Sequence, residues 1–299
     1  MTPLPNAQPY QHEHELAEIP IGHNHTLEQI LEMWLHGKTP GSQAIYRRVV
    51  VQFLEWANKP LQWLTLPDVQ GFANYLDTKG LKPSTRASYL AAVKSLLTFC
   101  NRTGLTRANV GAAVPLPKGK DTLTQKILAK EQVMAMIYSE PNRRNQLILK
   151  SFYYCGVRVS ELCGLCWYDL TASGDSGILT VFGKGSKTRH VLLPAHLYKE
   201  LLNFRGNASN DDPIFPSRKG KGKGHLHRIH VTKLVKEAGI RVGIDQKVSA
   251  HWLRHCHASH SLDAGAPISL VQTTLGHASV ATTSKYLHAK PTESSGLYL

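Results

Sequence analysis

The stretch His251-Trp252-Leu253-Arg254-His255, continued through Leu275-Gly276-His277 to Tyr286-Leu287-His288, decides how the rest of the chain is read. Three short helical segments are expected across residues 251–289. His251 and Arg254 are three apart, a spacing that puts both on one helix face. Leu253, Ala258, Leu262 and Ala264 supply apolar neighbours, and Gly265 suits the position that ends a helix. Pro267 fits the first position of the next helix, with Ile268, Leu270, Val271 and Leu275 as its buried stripe. Gly276 ends that helix and leaves the His277 ring free to point into a cleft. Ser279 caps a third helix that runs through Thr282 and Thr283 to Tyr286 and Leu287. A guanidinium, two imidazoles and a phenol are thereby expected to converge from three helix ends. A phosphodiester attacked by a phenol requires about that set.

Working outward, the 299 residues suggest two domains, and a hydrophobic fraction of 42% is enough for ordinary packed cores. No apolar run reaches membrane-spanning length. Residues 1–25 carry Pro3, Pro5, Pro9 and Pro20 and lack a basic-then-apolar leader pattern, so the chain is expected in the cytoplasm. These residues read as a flexible arm, in which His12, His14, His23 and His25 bind metal only adventitiously. Lys and Arg outnumber Asp and Glu by 35 to 21, a net charge of +14 that favours a polyanion such as DNA or RNA. The five cysteines are an odd number and do not read as a disulfide framework. Cys163 and Cys166 form a lone pair without a second at zinc-site spacing, so they read as buried thiols and no metal is expected.

Residues 26–117 read as a bundle of four helices. Thr26 caps the first, with Leu27, Ile30, Leu31, Trp34 and Leu35 on one side, and Pro40-Gly41 breaks it. The second starts near Ser42 and carries Ile45, Val49, Phe53, Leu54 and Trp56. Pro67 and Asp68 open the third, and Ser84 caps the fourth. Arg47, Arg48, Lys82, Arg86 and Lys94 lie off the apolar stripes, as a solvated face or as phosphate contacts. A positively charged linker follows: residues from 101 onward are rich in Gly, Pro and Lys, and 118–129 separate the bundle from a second domain at 130–299. There, helices are expected near 130–139, 143–155 and 228–238. Arg158 stands at a helix start with Glu161 three residues on. Residues 178–182 and 190–193 are β-type runs joined by a tip carrying Lys184 and Lys187. Gly185 after Lys184 breaks the phosphate-loop pattern, which excludes nucleotide binding there. Lys219, Lys221 and Lys223 alternate with glycines in a basic loop suited to phosphates.

Gly156-Val157-Arg158, with Glu161, then Lys184 on the hairpin, His251-x-x-Arg254-His255, Gly276-His277 and Thr283-x-x-Tyr286 occur in the order seen in tyrosine recombinases of the phage integrase family, which the chain resembles over roughly residues 26–289. Each motif alone is weak; the ordered set is specific. The resemblance implies a mainly α (α+β) fold: an N-terminal four-helix, SAM-like core-binding bundle and a C-terminal mixed helical catalytic domain with a small β-hairpin or sheet. It implies a C-shaped clamp of the two domains on duplex DNA. It further implies Tyr286 as the nucleophile forming a 3′-phosphotyrosyl link, with Arg158 and Arg254 on the non-bridging oxygens. Lys184 would protonate the leaving 5′-hydroxyl, His251 would act in proton transfer, and His277 would donate to the phosphate. Ser84 and Lys187 join the expected DNA contacts. Partners implied are double-stranded recombination sites, a homotetramer on DNA, and accessory DNA-bending proteins near the nucleoid. No cofactor is implied, because arginines neutralise charge and the phosphotyrosyl bond keeps the energy for rejoining.

Elementary chemistry fits these roles. Guanidinium forks match phosphate oxygens bidentately, and fixed cations stabilise the charge gathered in the transition state. A phenol with an ordinary pKa near 10 needs help losing its proton. Singly, Tyr286 is an ordinary helix-surface tyrosine, Arg158 an ion-pair partner of Glu161, and Lys184 a turn charge; jointly they read as a site. Glu161 is expected to orient an active-site side chain, and His255, His257 and His260 to serve as packing or hydrogen-bonding groups. The short tail after Tyr286 suggests a small apolar plug of Leu297, Tyr298 and Leu299 in place of a long exchanged helix, and with only residues 1–25 ahead of the bundle the simpler two-domain type, without an extra arm-binding domain, is expected. Two other readings stay open: a topoisomerase-like nicking-closing enzyme, and a non-catalytic DNA-binding regulator on the same fold.

Overall fold

The computed structural model describes residues 25–119, 123–183, 188–217, 224–244 and 248–287. The chain divides into two compact units, Met1–Lys120 and Asp121–Leu299.

The first unit contains helices α1 (Leu27–Leu35), α2 (Pro40–Ala57), α3 (Leu66–Thr78) and α4 (Pro83–Arg102). Local chemistry sets their starts. Thr26 caps α1 reciprocally: its hydroxyl accepts from Gln29 N, and its own N–H donates to Gln29 Oε1 at 2.9 Å. At α3 it is Asp68 that satisfies the cap residue: its Oδ2 accepts from Thr65 N at 2.8 Å and from the Thr65 hydroxyl at 2.7 Å. Pro40 begins α2 rather than breaking α1 away from it, because a proline in the first turn lacks only an N–H that would have no helical partner. Likewise α4 starts at Pro83 with Lys82 as cap; Ser84 falls inside the first turn and makes no capping bond. Asn58, in the left-handed region at φ +49°, ends α2.

Phe53 and Phe72 meet edge to face at 5.0 Å in the core, with Leu31, Val49, Leu76 and Leu96 around them. Trp56 remains 37% exposed but lies over Phe72 and Tyr75, and Gly71 leaves the room its ring occupies. Ile45, expected on the buried stripe, is 52% exposed, as is Leu27 at 44%. Both lie near the start of their helices. Residues beyond α4 do not all behave as linker. Val114 is buried against the bundle, and Lys94 donates to the carbonyls of Ala112, at 3.2 Å, and Val114.

The second unit comprises α5 (Lys130–Tyr138), α6 (Arg143–Cys155), α7 (Val159–Gly164), β1 (Leu170–Ser173), β2 (Ser176–Phe182), β3 (Thr188–Leu192), α8 (Ala195–Arg205), α9 (Arg228–Arg241), α10 (Ala250–Asp263), α11 (Ile268–Leu275) and α12 (Val280–Ser284). The fold is thus mainly helical with one small antiparallel sheet, ordered β1-β2-β3. The expected hairpin is there, with Leu179 opposite Val191 and Val181 opposite Arg189. Its third strand, β1, is only four residues long and has no buried position, too little signal for period-two reading. Helix α8 does carry a helical signal, Leu197 and Leu201 four apart and both buried.

Helix α6 is the axis of this unit: every residue from Leu147 to Phe152 is buried, and α5, α8 and α10 pack around it. Even Lys150 is buried, held by Glu200 at 2.7 Å. Gly156 ends α6 at φ +58°, and its N–H donates to Phe152 O at 3.2 Å. Gly265 follows the end of α10 at φ +87°, as the sequence suggests. Pro267 caps α11 instead of opening it, and Ser279 stands at the cap of α12 without a side-chain bond. Among the described residues no helix is long and apolar enough to cross a membrane.

Gly156 yields a direct test of how tightly α6 meets α10 and α11. A Cβ there would lie 2.7 Å from Leu275 Cδ2 and 2.9 Å from His257 Cδ2, and L-residues disfavour its φ in any case. Gly156→Ala is expected to cost at least about 1–3 kcal/mol from the backbone alone. Denaturant unfolding checks this.

Candidate active site

Arg254 is 2% exposed and heads the large fully buried side chains. A buried guanidinium must find acceptors, and it finds them where two helices stop. One terminal nitrogen donates to Gly156 O, just past α6, and the other to Leu275 O, at the end of α11, at 2.5 Å. Carbonyls at helix C-termini lack an intrahelical partner and carry partial negative charge, so they suit a cation. A guanidinium has five N–H donors, so this clasp leaves others for an anion. Burial, then Arg158 and Arg189 nearby, push the Arg254 pKa down to about 9, which still leaves it charged at neutral pH.

Arg158 caps α7, and Glu161 one turn on binds it twice: its carboxylate accepts from Arg158 N and from Arg158 Nη1, both at 2.7 Å. The same carboxylate is gripped by Arg189 of β3, at 2.9 and 2.8 Å. Arg189 Nε donates in turn to Thr274 O at 2.7 Å, which ties the sheet to the end of α11. Burial alone would raise the Glu161 pKa; the two arginines instead hold it down at about 2. Glu161 thus fixes one end of the Arg158 guanidinium and leaves the Arg158 side chain 36% exposed. Arg189 was not singled out from the sequence. A signal existed: on β3 the buried positions are Arg189 and Val191, and a charged residue at an inward position announces a buried partner.

Tyr286 follows α12 and is 6% exposed, packed with Ile127, Ala258, Val271 and Leu275. Its hydroxyl is hydrogen-bonded to His255 Nδ1 at 2.7 Å. Of the two roles expected for His255, packing and hydrogen bonding, this is the second. His251, one turn earlier and exposed, brings its ring centroid to 4.5 Å from that of His255. His277 lies parallel to Tyr286, ring centroids 6.4 Å apart. Its ring is not free, as the sequence reading had it: Nδ1 bonds Thr283 Oγ1 at 2.9 Å, and Thr283 is fully buried. His257 and His260 behave as expected, bonded to the carbonyls of Tyr153 and Leu128 at 2.8 and 3.0 Å.

The imidazoles are neutral bases in a cationic setting. Burial, then His251, Lys126, Arg254 and His277, lower His255 to about 4. Burial, Arg254 and Arg158 lower His277 to about 4 as well. His251 is lowered by desolvation, then Arg254, Arg158 and Lys126. Burial raises the Tyr286 phenol, with Arg254 acting against it. Lys126, in the short turn Thr124–Lys126, was also not anticipated.

The structure therefore gathers Arg158, Arg254, His251, His277 and Tyr286 with Glu161 in one unit. Lys184, Lys187, Lys219, Lys221 and Lys223 lie outside the described residues, as does the plug of Leu297, Tyr298 and Leu299. In the first unit Arg48, Lys82 and Ser84 are exposed. Arg47 pairs with Glu28 and Arg86 with Asp77, while Lys94 is engaged with the carbonyls described above. Cys166 Sγ lies 3.9 Å from His225 Nε2, and among the described residues no three metal-ligating side chains gather.

Residues 126–293 match the phage integrase family, and residues 33–104 match the N-terminal SAM-like domain of phage integrases. The chain belongs to the phage integrase family: it is a site-specific tyrosine recombinase, an enzyme of DNA cleavage and religation. It is 35% identical over 215 residues to the tyrosine recombinase XerC of Xanthomonas axonopodis pv. citri (strain 306), covering 70% of this chain and 69% of that one. It is 28% identical over 295 residues to the tyrosine recombinase XerD of Oceanobacillus iheyensis, covering 91% and 97%. Its fold is similar to a lambda integrase (75-356) dimer bound to a core site, with TM-score 0.72 and 17% identity over 90% of this chain and 96% of that one. It is similar also to XerH bound to its difH substrate, with TM-score 0.68 and 22% identity over 87% and 81%.

Acid should dismantle this site in two stages. His255, His257 and His277 are each held near 4, below the ordinary value of about 6.5, so the unfolded chain binds protons first. Stability is expected to fall as pH drops from about 6.5 toward 4. Glu161, depressed to about 2, stabilises fully above its ordinary value of about 4.3 and ceases to as pH approaches 2. Glu161→Gln should cost about 3–5 kcal/mol at neutral pH by stranding Arg189, and should flatten the lower stage. Thermal unfolding across pH measures both.

Proposed function

We propose that the Tyr286 hydroxyl attacks the scissile phosphodiester and forms a 3′-phosphotyrosyl link to DNA. Arg158 and Arg254 neutralise the non-bridging oxygens, and Lys184 protonates the 5′-oxygen as it leaves. His251 acts in proton transfer. When His277 Nδ1 accepts from the Thr283 hydroxyl, the ring's proton is on Nε2, which then donates to the phosphate. Rejoining runs the same steps backward, with a 5′-hydroxyl attacking the phosphotyrosyl bond.

The observation that carries this reading is the placement of the Tyr286 hydroxyl, bonded to His255 on the helix that also bears His251 and Arg254. Three guanidinium groups, on Arg158, Arg189 and Arg254, face one carboxylate, Glu161, so positive charge is in excess where a phosphate would dock. Fixed charge in a partly desolvated site lowers the barrier without reorganisation.

In the same proposal, residues 26–117 form the core-binding domain, 118–129 the linker and 130–299 the catalytic domain. Arg47, Arg48, Lys82, Ser84 and Arg86 contact phosphates, as do Lys94, Lys187, Lys219, Lys221 and Lys223. The enzyme works as a homotetramer on two recombination sites in the cytoplasm, with DNA-bending proteins assisting. The lambda integrase dimer bound to a core site, and XerH bound to difH, support DNA-bound assembly.

A nicked suicide duplex tests the chemistry. The wild type should accumulate a covalent protein–DNA adduct, and Tyr286→Phe should form none. Arg158→Ala should slow adduct formation about 10²–10³-fold. An undiminished adduct in Tyr286→Phe contradicts the assignment.

A further inference from the structure

His255 belongs to none of the roles above, yet it is the group bonded to the phenol, at 2.7 Å. His251, to which proton transfer is assigned, faces His255 ring to ring at 4.5 Å instead. The two are four residues apart on α10 and so share a face, with His255 the deeper. A hydroxyl on a 6%-exposed tyrosine needs a partner, and a neutral imidazole nitrogen can also take the proton away.

We infer that His255 is the catalytic base of the cleavage step, accepting the Tyr286 phenolic proton at Nδ1. This rests on Tyr286 being the nucleophile. The O–H bond of Tyr286 breaks and its proton passes to Nδ1, giving an imidazolium. The phenolic oxygen forms a bond to phosphorus, and the bond from phosphorus to the 5′-oxygen breaks, that oxygen taking a proton from Lys184. In rejoining, the phenolic oxygen leaves phosphorus and recovers its proton from His255.

The groups facing His255 are His251 and Arg254 on its own helix, Lys126 from the turn before α5, His277 after α11, and Tyr286 after α12. The cations among them disfavour an imidazolium in the free protein. A docked phosphodiester brings negative charge to the same place and raises the ring's proton affinity. Proton removal is thereby coupled to substrate arrival, and the phenol stays protonated until DNA is present.

The experiment is single-turnover cleavage of a nicked suicide duplex by full-length His255→Asn and His255→Ala, with Tyr286→Phe in parallel. Asparagine can keep a hydrogen-bond acceptor near the Nδ1 position and has no useful proton affinity. We expect both His255 variants to bind the duplex as the wild type does and to cleave about 10²-fold or more slowly. Their rates should rise tenfold per pH unit where the wild-type rate is flat, and added imidazole should restore part of the rate in His255→Ala. Wild-type rates and a flat profile in His255→Asn overturn the inference by reducing His255 to a hydrogen-bond partner. Faster cleavage in either variant overturns it too, by making His255 a restraint on Tyr286. An adduct that persists in Tyr286→Phe removes the nucleophile assignment itself, a result distinct from both. Should His255→Ala fail to fold, the rate and pH profile of His255→Asn decide.

Discussion

A single buried cation holds the second unit's site in register. Arg254 spans from the end of α6 to the end of α11 and satisfies a carbonyl at each. Those carbonyls are available because glycines in left-handed conformation, Gly156 and Gly276, stop the two helices there. Side-chain bulk is excluded at both: a Cβ on Gly276 would meet Arg189 Cδ at 3.1 Å. Two arginines meet these helix ends, Arg254 from α10 and Arg189 from β3, whose Nε binds Thr274 O. Without that clasp a charged side chain would be left in the interior, and the fold would have to open or let in water.

Charge is divided unevenly between the site's groups. The guanidiniums stay positive, whereas burial and those same guanidiniums keep His255 and His277 neutral near physiological pH. Permanent charge and proton-accepting capacity are thereby separated onto different side chains. An anion is attracted by one set and a proton moved by the other. Glu161 prevents the arginines from repelling one another apart, yet its two oxygens are shared between Arg158 and Arg189, so Arg158 retains exposed surface.

Much of this was legible in the sequence because it rests on local rules. The bounds of α5 and α6, the stops at Gly156, Gly265 and Gly276, and the grouping of Arg158, His251, Arg254, His277 and Tyr286 follow from caps, periodicity and motif order. What escaped depends on contacts distant in the chain. Arg189 acts through residues 28 and 85 positions away, and nothing next to it says so. The His255 bond to Tyr286 links α10 to the turn after α12, 31 residues on. Serine caps were over-read: Ser84 and Ser279 have suitable neighbours, but Pro83 already starts one helix, and no capping bond forms at the other. Exposure of Ile45 shows the same limit, since periodicity finds a face without saying how far a neighbour covers it.

In the proposed reaction one chain supplies both the nucleophile and the charge that activates its target. Tyr286 packs into the same unit as the arginines, beside Leu275, whose carbonyl Arg254 holds. Mixing equal amounts of Tyr286→Phe and Arg158→Ala proteins on a full recombination site measures this directly. Each mixed site would lack either the phenol or the cation, so cleavage is expected not to exceed the residual level of Arg158→Ala alone. Recovery of a substantial fraction of wild-type cleavage would mean that tyrosine and arginine come from different subunits, and would contradict the account.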